Sequence, residues 1–315
     1  MNTRNRESRS PRVSRVIPAV MASMLLSALA VSTLGAQTTP ASRERHAIRF
    51  ERPRAVGARY RVEASGEKSL RMEQQGQATP VRDERTVVRM LAVERIVAVN
   101  ATGEPTSSEY TIETFEVERD GTTVRPLARG TVVLVERAIS PDAEARMTVG
   151  GAPVASEIAT ALGIVVSRKV SGVSDDEVFG STNPRRVGER WNINAEVAER
   201  ELAANGLTDV RLRGQVQATE LTTVDNLPCL VLTATMTGRL GAIPNLPGTA
   251  RFVNGTVETT HRGAFPTDGT SRPPTSEMSM ALDTTFTVNA GGGQPVQTLH
   301  MVVRDSLTEH VTLLP

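Results

Sequence analysis

Residues 53–62 read Pro53-Arg54-Ala55-Val56-Gly57-Ala58-Arg59-Tyr60-Arg61-Val62, and residues 184–193 read Pro184-Arg185-Arg186-Val187-Gly188-Glu189-Arg190-Trp191-Asn192-Ile193. Proline, arginine, valine, glycine and arginine recur in register, and an aromatic and a β-branched residue follow. In such a segment proline ends the preceding element, glycine permits a turn, and the aromatic side chain begins a buried face. The repeat therefore predicts two similarly built β-rich modules, residues 47–182 and 183–315, each entering its first long strand through this turn.

Alternation of apolar and polar side chains predicts strands over much of the remaining chain. Residues 58–64, 210–218, 278–288 and 299–313 carry most of their apolar side chains at every second position. This pattern is typical of antiparallel sheets with one face in water. Residues 86–100 are instead apolar on both faces and predict a central strand, or two short ones.

Turn-forming residues predict where consecutive strands connect. Asn254-Gly255 and Asp120-Gly121 are typical of two-residue hairpins, and residues 225–228 follow the same pattern. The glycine run at 291–293 predicts the connection between the last two long strands. Residues 267–276, with two adjacent prolines, predict a mobile loop.

Two short helices interrupt the β pattern. Pro153 at the first position and Gly163 after the end predict a helix over residues 153–162, with Val154, Ile158 and Leu162 on one face. Asn194 as N-cap and Gly206 after the end predict a second helix over residues 195–204. The predicted fold class is therefore mainly β, a β-rich α+β fold with two modules of curved antiparallel sheet and one or two short helices.

Residues 1–36 predict a secretory signal peptide. Five arginines precede an uncharged run, residues 16–34, and the segment ends in Leu34-Gly35-Ala36 before a polar stretch. An uncleaved membrane anchor is the alternative, because the run approaches the roughly 20 residues that span a bilayer. Proline, serine and threonine dilute its hydrophobicity and favour cleavage. We therefore expect a mature chain from Gln37, exported by the general secretory route to the periplasm or exterior of a bacterium, with no transmembrane segment.

Charge and cysteine content restrict the function classes. The chain has 36 basic and 35 acidic residues, and the leader holds five arginines but only Glu7, so the remainder is mildly acidic. Such a balance does not favour nucleic-acid binding. The single cysteine, Cys229, cannot form an internal disulfide. Stability must therefore come from packed cores.

Motifs that could carry chemistry are incomplete. Ser65-Gly66-Glu67-Lys68 fits the S-x-x-K pattern of penicillin-recognising enzymes, but the partner motifs do not occur, and the segment predicts a hairpin turn. Cys229 lies in an apolar stretch without a nearby histidine and is expected to be buried and inert. Residues 175–177 are acidic but lack EF-hand spacing, so they predict a solvated loop rather than a cation site.

The four histidines do not have the spacing of a zinc site. His300 and His310 are ten residues apart, which corresponds to about 33 Å along a straight strand, so they cannot share a metal. We expect them to face solvent. The sequence thus predicts no catalytic residue, no cofactor and no metal, and the chain is interpreted as a non-enzyme.

The segment Val187-Gly188-Glu189-Arg190-Trp191, followed by paired strands and Asn254-Gly255, resembles exported bacterial β-rich families of unknown function with a V-G-D-x-W-like strand start. Glu189 stands where those families often have aspartate. The resemblance covers the second half of the chain and implies an exported β-rich protein. A looser likeness, of architecture alone, is to periplasmic lipoprotein-carrier folds.

Three functions remain open at this point. The first is a structural or protein-interaction module of the cell envelope, and the alternative is a periplasmic carrier for an apolar or lipidated ligand. A carrier would need an apolar cleft, for which Val154, Ile158, Leu162 and Trp191 are the candidates, although Trp191 also fits a core anchor. The third is a hydrolase with a site assembled from distant residues, around His261 or His46. The volume of an enclosed apolar cavity would separate the first two.

Overall fold

The computed structural model describes residues 44–139, 143–170, 172–204, 207–243, 246, 248–289 and 295–315. The predicted signal peptide, Gly206 and the glycine run at 291–293 lie outside these residues. Strands make up 60% of the structure and helices 9%, which confirms the mainly-β class. No helix among the described residues is long and apolar enough to cross a membrane.

Among the described residues, helices occur only in the middle of the chain. The part before residue 180 contains β1 (His46–Ile48), β2 (Arg59–Gln74), β3 (Arg82–Val99), β4 (Pro105–Arg119), β5 (Thr122–Val124), β6 (Val132–Glu136), β7 (Arg146–Val149), β8 (Ala152–Pro153), α1 (Ser156–Val165) and α2 (Asp175–Phe179). The remainder contains β9 (Ser181–Arg185), β10 (Arg190–Asn192), α3 (Ala195–Ala204), β11 (Arg211–Val224), β12 (Leu227–Leu240), β13 (Ala250–Pro266), β14 (Thr275–Val288) and β15 (Gln297–Leu314).

Thirteen strands form one antiparallel sheet. Its order is β10-β11-β12-β13-β14-β15-β2-β3-β4-β6-β7-β8, with β5 also beside β4, while β1 and β9 pair separately. The C-terminal strand β15 lies between β14 and β2 and pairs with both over most of its length. Strands from both predicted modules therefore share a continuous sheet, and the division into modules stays a prediction.

Two hydrophobic clusters cover different parts of this sheet. The first cluster lies under α1 and is built mainly by β2, β3, β4 and β6; it includes Val62, Ile96, Phe115 and Leu162. The second cluster is built by β11 to β14 with α2 and α3, and it includes Trp191. The alternation predicted for the strands is confirmed, since the apolar set of each is largely buried.

The repeated turn adopts the same geometry in both copies. Gly57 and Gly188 have φ of 84° and 90°, which glycine adopts without strain. The amide of Gly57 donates to the Ile96 carbonyl at 2.9 Å, and that of Gly188 donates to the Ala218 carbonyl at 2.7 Å. The sequence repeat therefore corresponds to a real structural repeat of the turn.

The aromatic residue that follows the turn is also equivalent in the two copies. Tyr60 and Trp191 are each 8% exposed, and an arginine six residues earlier, Arg54 or Arg185, lies over the ring. The copies then diverge: β2 continues for 16 residues, whereas β10 ends after three because the chain turns into α3. The expectation of a long strand after the second turn is therefore wrong, and β11 is the first long strand of that half.

Two of the predicted hairpins are confirmed and two predicted turns are not. Asp120-Gly121 and Asp225-Asn226 connect their strands with positive φ at both turn residues. Asn254-Gly255 instead lies inside β13, next to a bulge, and pairs with β14. A Cβ on Gly255 would lie 2.9 Å from the side chain of Thr284, so close strand approach explains the glycine.

The segment Ser65–Lys68 is not a turn either. It lies in the middle of β2 and pairs with β3 on one side and β15 on the other. A Cβ on Gly66 would lie 2.7 Å from the side chain of Ile164 in α1. The glycine therefore lets the helix approach the sheet, and the S-x-x-K match has no enzymatic context.

One of the two predicted helices lies three residues later than predicted, and the structure contains a third helix. α1 begins and ends three residues later than predicted, because Pro153 pairs in β8 and Gly163 lies inside the helix against the Arg168 side chain. α3 has the predicted bounds. α2 was not predicted: residues 175–177 form its first turn rather than a loop, and Ser174 and Glu177 form a capping box.

Candidate binding site

A cleft of about 220 Å³ lies at the boundary between the second cluster and a buried group of charged residues. Its walls come from the segment after β1, the β3–β4 connection, α2, α3, β12, β13 and the loop before β14. A larger and more open groove of about 450 Å³ lies beside β10, β11 and β12. We place the candidate site in the first cleft, because its charged groups are buried.

One wall of the cleft is aromatic. The ring of Phe50 lies 5.6 Å from that of Phe179, 4.8 Å from that of Phe265 and 6.2 Å from that of His261, between centroids. The Phe50 amide donates to the carboxylate of Asp176 at the start of α2. This hydrogen bond holds the segment after β1 against the helix, so the aromatic wall is fixed by three separate parts of the chain.

Another part of the lining belongs to a charge cluster centred on Glu94 of β3, whose partners Arg54, Arg137 and Arg272 line the cleft. The Glu94 side chain is fully buried, accepts a hydrogen bond from the Tyr110 hydroxyl at 2.8 Å and lies 2.7 Å from Arg272. Arg54 and Arg137 lie 3.5 Å from its two oxygens. A buried carboxylate is tolerated only when paired in this way.

Arg272 joins this cluster to the C-terminal strand. Its guanidinium also donates to both carboxylate oxygens of Glu309 in β15, at 2.9 and 3.0 Å, and its side chain is 8% exposed. Arg272 belongs to the segment predicted as a mobile loop. The structure shows a loop there, but one that is anchored at its centre to β3 and β15.

The cluster shifts the pKa values of its members. Burial alone would raise the pKa of Glu94, but Arg272, Arg54 and Arg137 hold it well below its usual range. Burial and the Glu94 charge raise the pKa of Tyr110, so its hydroxyl remains a donor. Arg272, Arg54 and Arg137 all pair with Glu94, and Arg272 also pairs with Glu309.

Acidic residues form another part of the rim. Asp175, at the start of α2, donates its amide to the Glu51 carboxylate at 3.2 Å. Burial, together with the charges of Glu51, Asp176 and Glu104, raises the pKa of Asp175 to about 7. No histidine, cysteine or acidic residues group as a metal site in the described part of the chain, so nothing there supports the cation alternative for residues 175–177.

Three of the four predicted cleft residues lie together in the first cluster, and Trp191 lies apart from them in the second. Leu162 is 1% exposed in the first cluster, with Val154 and Ile158 packed beside it. Trp191 lies in the second cluster, where its indole nitrogen donates to the Phe179 carbonyl at 2.8 Å, as a core anchor would. None of the four lines either cleft described above.

The sequence analysis did not predict the charge cluster, although one feature of β3 indicates it. Glu94 lies on the same face of β3 as Met90, Ala92 and Ile96, and all four side chains are buried. A single carboxylate on an otherwise apolar inward face predicts a buried partner. Its arginine partners lie on distant loops, and no local pattern indicates them.

His300, His310 and Cys229 do not assemble a hydrolytic site, and the hydrolase alternative around His261 or His46 stays a prediction. His300 and His310 are exposed and bond Asp283 and Asp225, as expected for strand surface residues. The Thr312 hydroxyl bonds Asp225 rather than the His310 ring, so that trio contains no activated nucleophile. Cys229 is fully buried, which confirms the prediction that it would be. Burial raises the pKa of its thiol to about 11.

Comparison with known proteins gives little further information. No protein-family model matches this chain, and no curated protein is significantly similar to it. Among solved structures it resembles lipovitellin, in a structure that describes lipid–protein interactions in that protein, at 8% identity and a TM-score of 0.35, over 83% of this chain and 26% of that one. It also resembles Pseudomonas aeruginosa OccK2 in complex with glucuronate, at 7% identity and a TM-score of 0.19, over 81% and 97% of the two chains.

A third similarity is to a loop deletion mutant of OmpT, an outer membrane protein of Vibrio cholerae, at 7% identity and a TM-score of 0.16, over 80% and 99% of the two chains. Of the three similar proteins, lipovitellin is much longer, and this chain spans about a quarter of its length. All three scores are too low for any of these similarities to carry an inference about function.

Proposed function

We propose that this chain is an exported, non-catalytic binding protein whose cleft holds a small amphipathic ligand. The observation that carries the proposal is the cleft itself, whose lining combines aromatic side chains with buried arginines. Ligand sites usually contain a few fixed polar groups in an apolar surface. This lining has an apolar part, which includes the aromatic side chains, and a larger number of charged groups of both signs. A ligand with an apolar body and one charged or polar group would be complementary to it.

The size of the cleft limits the ligand. Its volume of about 220 Å³ lies below the roughly 300–1,000 Å³ that is usual for drug-sized ligands. We therefore expect a small molecule, or one end of a longer chain with the rest in solvent. The face of α1 that the sequence suggested for an apolar ligand is filled by Leu162 and its neighbours, so a carrier function would use this cleft instead.

A catalytic role is not proposed, because the hydrogen bonds described around the cleft include no nucleophile bonded to a base. The structural or interaction module remains the alternative. The end strands β8 and β10 have two and three residues, which is short for docking another strand. This observation favours the binding protein over edge-mediated interaction.

Binding can be tested with 8-anilino-1-naphthalenesulfonate, a small anionic amphiphile, and the delipidated mature chain. Leu202 of α3 lines the cleft, and Leu202→Trp would fill it. Leu221, which is 40% exposed on β11 and outside the cleft, gives the matched control Leu221→Trp. We expect saturable binding by the wild type and the control, and about tenfold weaker binding by Leu202→Trp. Equal binding by all three, or no saturable binding, would contradict the proposal.

A further inference from the structure

Arg52 is a second buried arginine of the cleft, separate from the charge cluster. It follows β1 and is 9% exposed, with one hydrogen bond, from Nη2 to the Pro266 carbonyl at 3.2 Å. Its Nε and Nη1 atoms are buried and have no hydrogen-bond partner. Buried guanidinium donors are normally satisfied, so these two indicate a missing acceptor.

The other arginines of the cleft are already occupied. Arg272 bonds Glu94 and Glu309, Arg54 pairs with Glu94, and Arg137 donates to the Pro105 carbonyl at 2.6 Å. Their charges shape the cleft, but these contacts engage them within the protein. Arg52 is therefore the guanidinium best placed to bind a ligand.

The carboxylates nearest to Arg52 do not use its free donors. Asp268 accepts from Thr270 and Ser271 in its own loop, and Asp176 accepts from the Phe50 amide. Their charges still act on Arg52 at longer range, although burial outweighs them and lowers its pKa. Both aspartates would repel an anion bound to Arg52, and they would repel a dianion about twice as strongly as a monoanion, so their charges favour a singly charged ligand.

Ser276 adds a second polar group to the same cleft. It lies at the start of β14, is 3% exposed, and its hydroxyl is buried without a hydrogen-bond partner. Phe50 and Phe265 provide apolar surface in the same cleft. The cleft thus offers donors for an acidic group beside a surface for an apolar body.

We infer that Arg52 is the specificity-determining residue of the cleft and selects a monoanionic carboxylate that carries an apolar chain. The inference rests on the proposed function and names the ligand class for it. A carboxylate can bridge one edge of a guanidinium, either Nε with Nη2 or Nη1 with Nη2. It would therefore accept from one of the two unused donors together with the second hydrogen of Nη2. Ser276 would donate to the same group or to a polar atom next to it.

The test compares decanoate with decan-1-ol, which has the same chain length and no charge, as competitors of the naphthalenesulfonate probe. We expect the wild type to bind decanoate about tenfold more tightly than decanol, as one charge-assisted hydrogen-bond pair allows. Arg52→Gln should abolish this preference and leave the decanol affinity unchanged. Arg125→Gln, at an arginine that pairs with Glu116 on the surface, is the matched control and should preserve the preference.

The outcomes separate the inference from the proposed function. If decanoate and decanol compete and Arg52→Gln keeps the preference, the cleft binds amphiphiles but Arg52 does not select them. If neither ligand competes and the probe is insensitive to Leu202→Trp, the proposed function itself fails. Should Arg52→Gln not fold, Arg52→Lys keeps the charge but loses the guanidinium fork, and an unchanged preference in that variant would overturn the inference.

Discussion

Replacing Glu94 by glutamine should destabilise the protein far more than its conservative shape suggests. The Glu94 carboxylate is fully buried, and it pairs with Arg272, Arg54 and Arg137. Each close pair is worth about 4 kcal/mol at an effective dielectric constant of about 20, partly offset by the cost of dehydrating the carboxylate. Removing one partner from a buried ion pair typically costs about 3–5 kcal/mol, and we expect Glu94→Gln to fall in that range.

The loss of stability caused by Glu94→Gln should become smaller as pH falls. The folded-state pKa of Glu94 lies below its unfolded value, so its stabilisation is fully present above about pH 4.3 and is lost as pH falls through the folded-state pKa. The wild type should therefore lose its advantage over Glu94→Gln on acidification. Urea unfolding of both proteins at pH 7 and pH 3, followed by far-ultraviolet circular dichroism, measures this difference.

The control lies on the neighbouring strand. Glu109 of β4 stands directly opposite Arg95 and bonds it at 2.6 Å, but this pair is exposed to solvent. Glu109→Gln should cost less than about 1 kcal/mol, as exposed pairs do. A Glu94→Gln variant as stable as Glu109→Gln would refute the reasoning. If Glu94→Gln does not fold, Tyr110→Phe, which removes one donor to Glu94, should still cost about 1.5–3 kcal/mol.

Three further outcomes are expected. The folded-state pKa of Asp175 is about 7 and exceeds its unfolded value, so this residue makes the protein less stable as pH rises from about 4 to 7. Asp175→Asn should therefore raise Tm more at pH 8 than at pH 5, and equal increases in Tm would contradict this. Leu162→Ala should cost about 2–5 kcal/mol in urea unfolding, because the first cluster is filled, and a cost below 1 kcal/mol would indicate a hollow interior. Cys229 should react with a thiol reagent only on unfolding, and rapid native labelling would show access to its thiol.

Local pattern was sufficient for most strands and for α3, but not for every turn. The alternation of β2 and β11 is a property of consecutive residues, and burial follows it. Asn254-Gly255 has the composition of a hairpin turn, yet the paired register of β13 with β14 continues through it with a bulge. The long-range pairing therefore overrode the local turn preference, and the sequence near residue 254 contains no sign of that partner.

The candidate site was less predictable than the fold because its members are far apart in the chain. Glu94 and Arg272 are 178 residues apart in the chain and come into contact when β14, β15, β2 and β3 pair in order, and Arg52 reaches the same cleft from the segment after β1. Composition could indicate that one carboxylate in β3 would be buried, but it could not name the three arginines that neutralise it. Val154, Ile158 and Leu162 were suggested for a cleft by their apolar spacing, which is equally typical of a filled core. Trp191 was suggested as the only tryptophan, and a tryptophan also fits a core anchor.

The charge cluster also explains how the pairing of β15 with β2 can have one register. A slip by one residue would expose the apolar face of β15, but a slip by two residues would keep it buried. Glu309 shares that inward parity with Leu307 and Val311, and Arg272 holds it at the same time as Glu94. A two-residue slip would move Glu309 away from the guanidinium and leave a carboxylate partly buried without its partner. The cluster thus penalises an alternative that the apolar pattern alone accepts, which is the best-attested use of buried ionic groups.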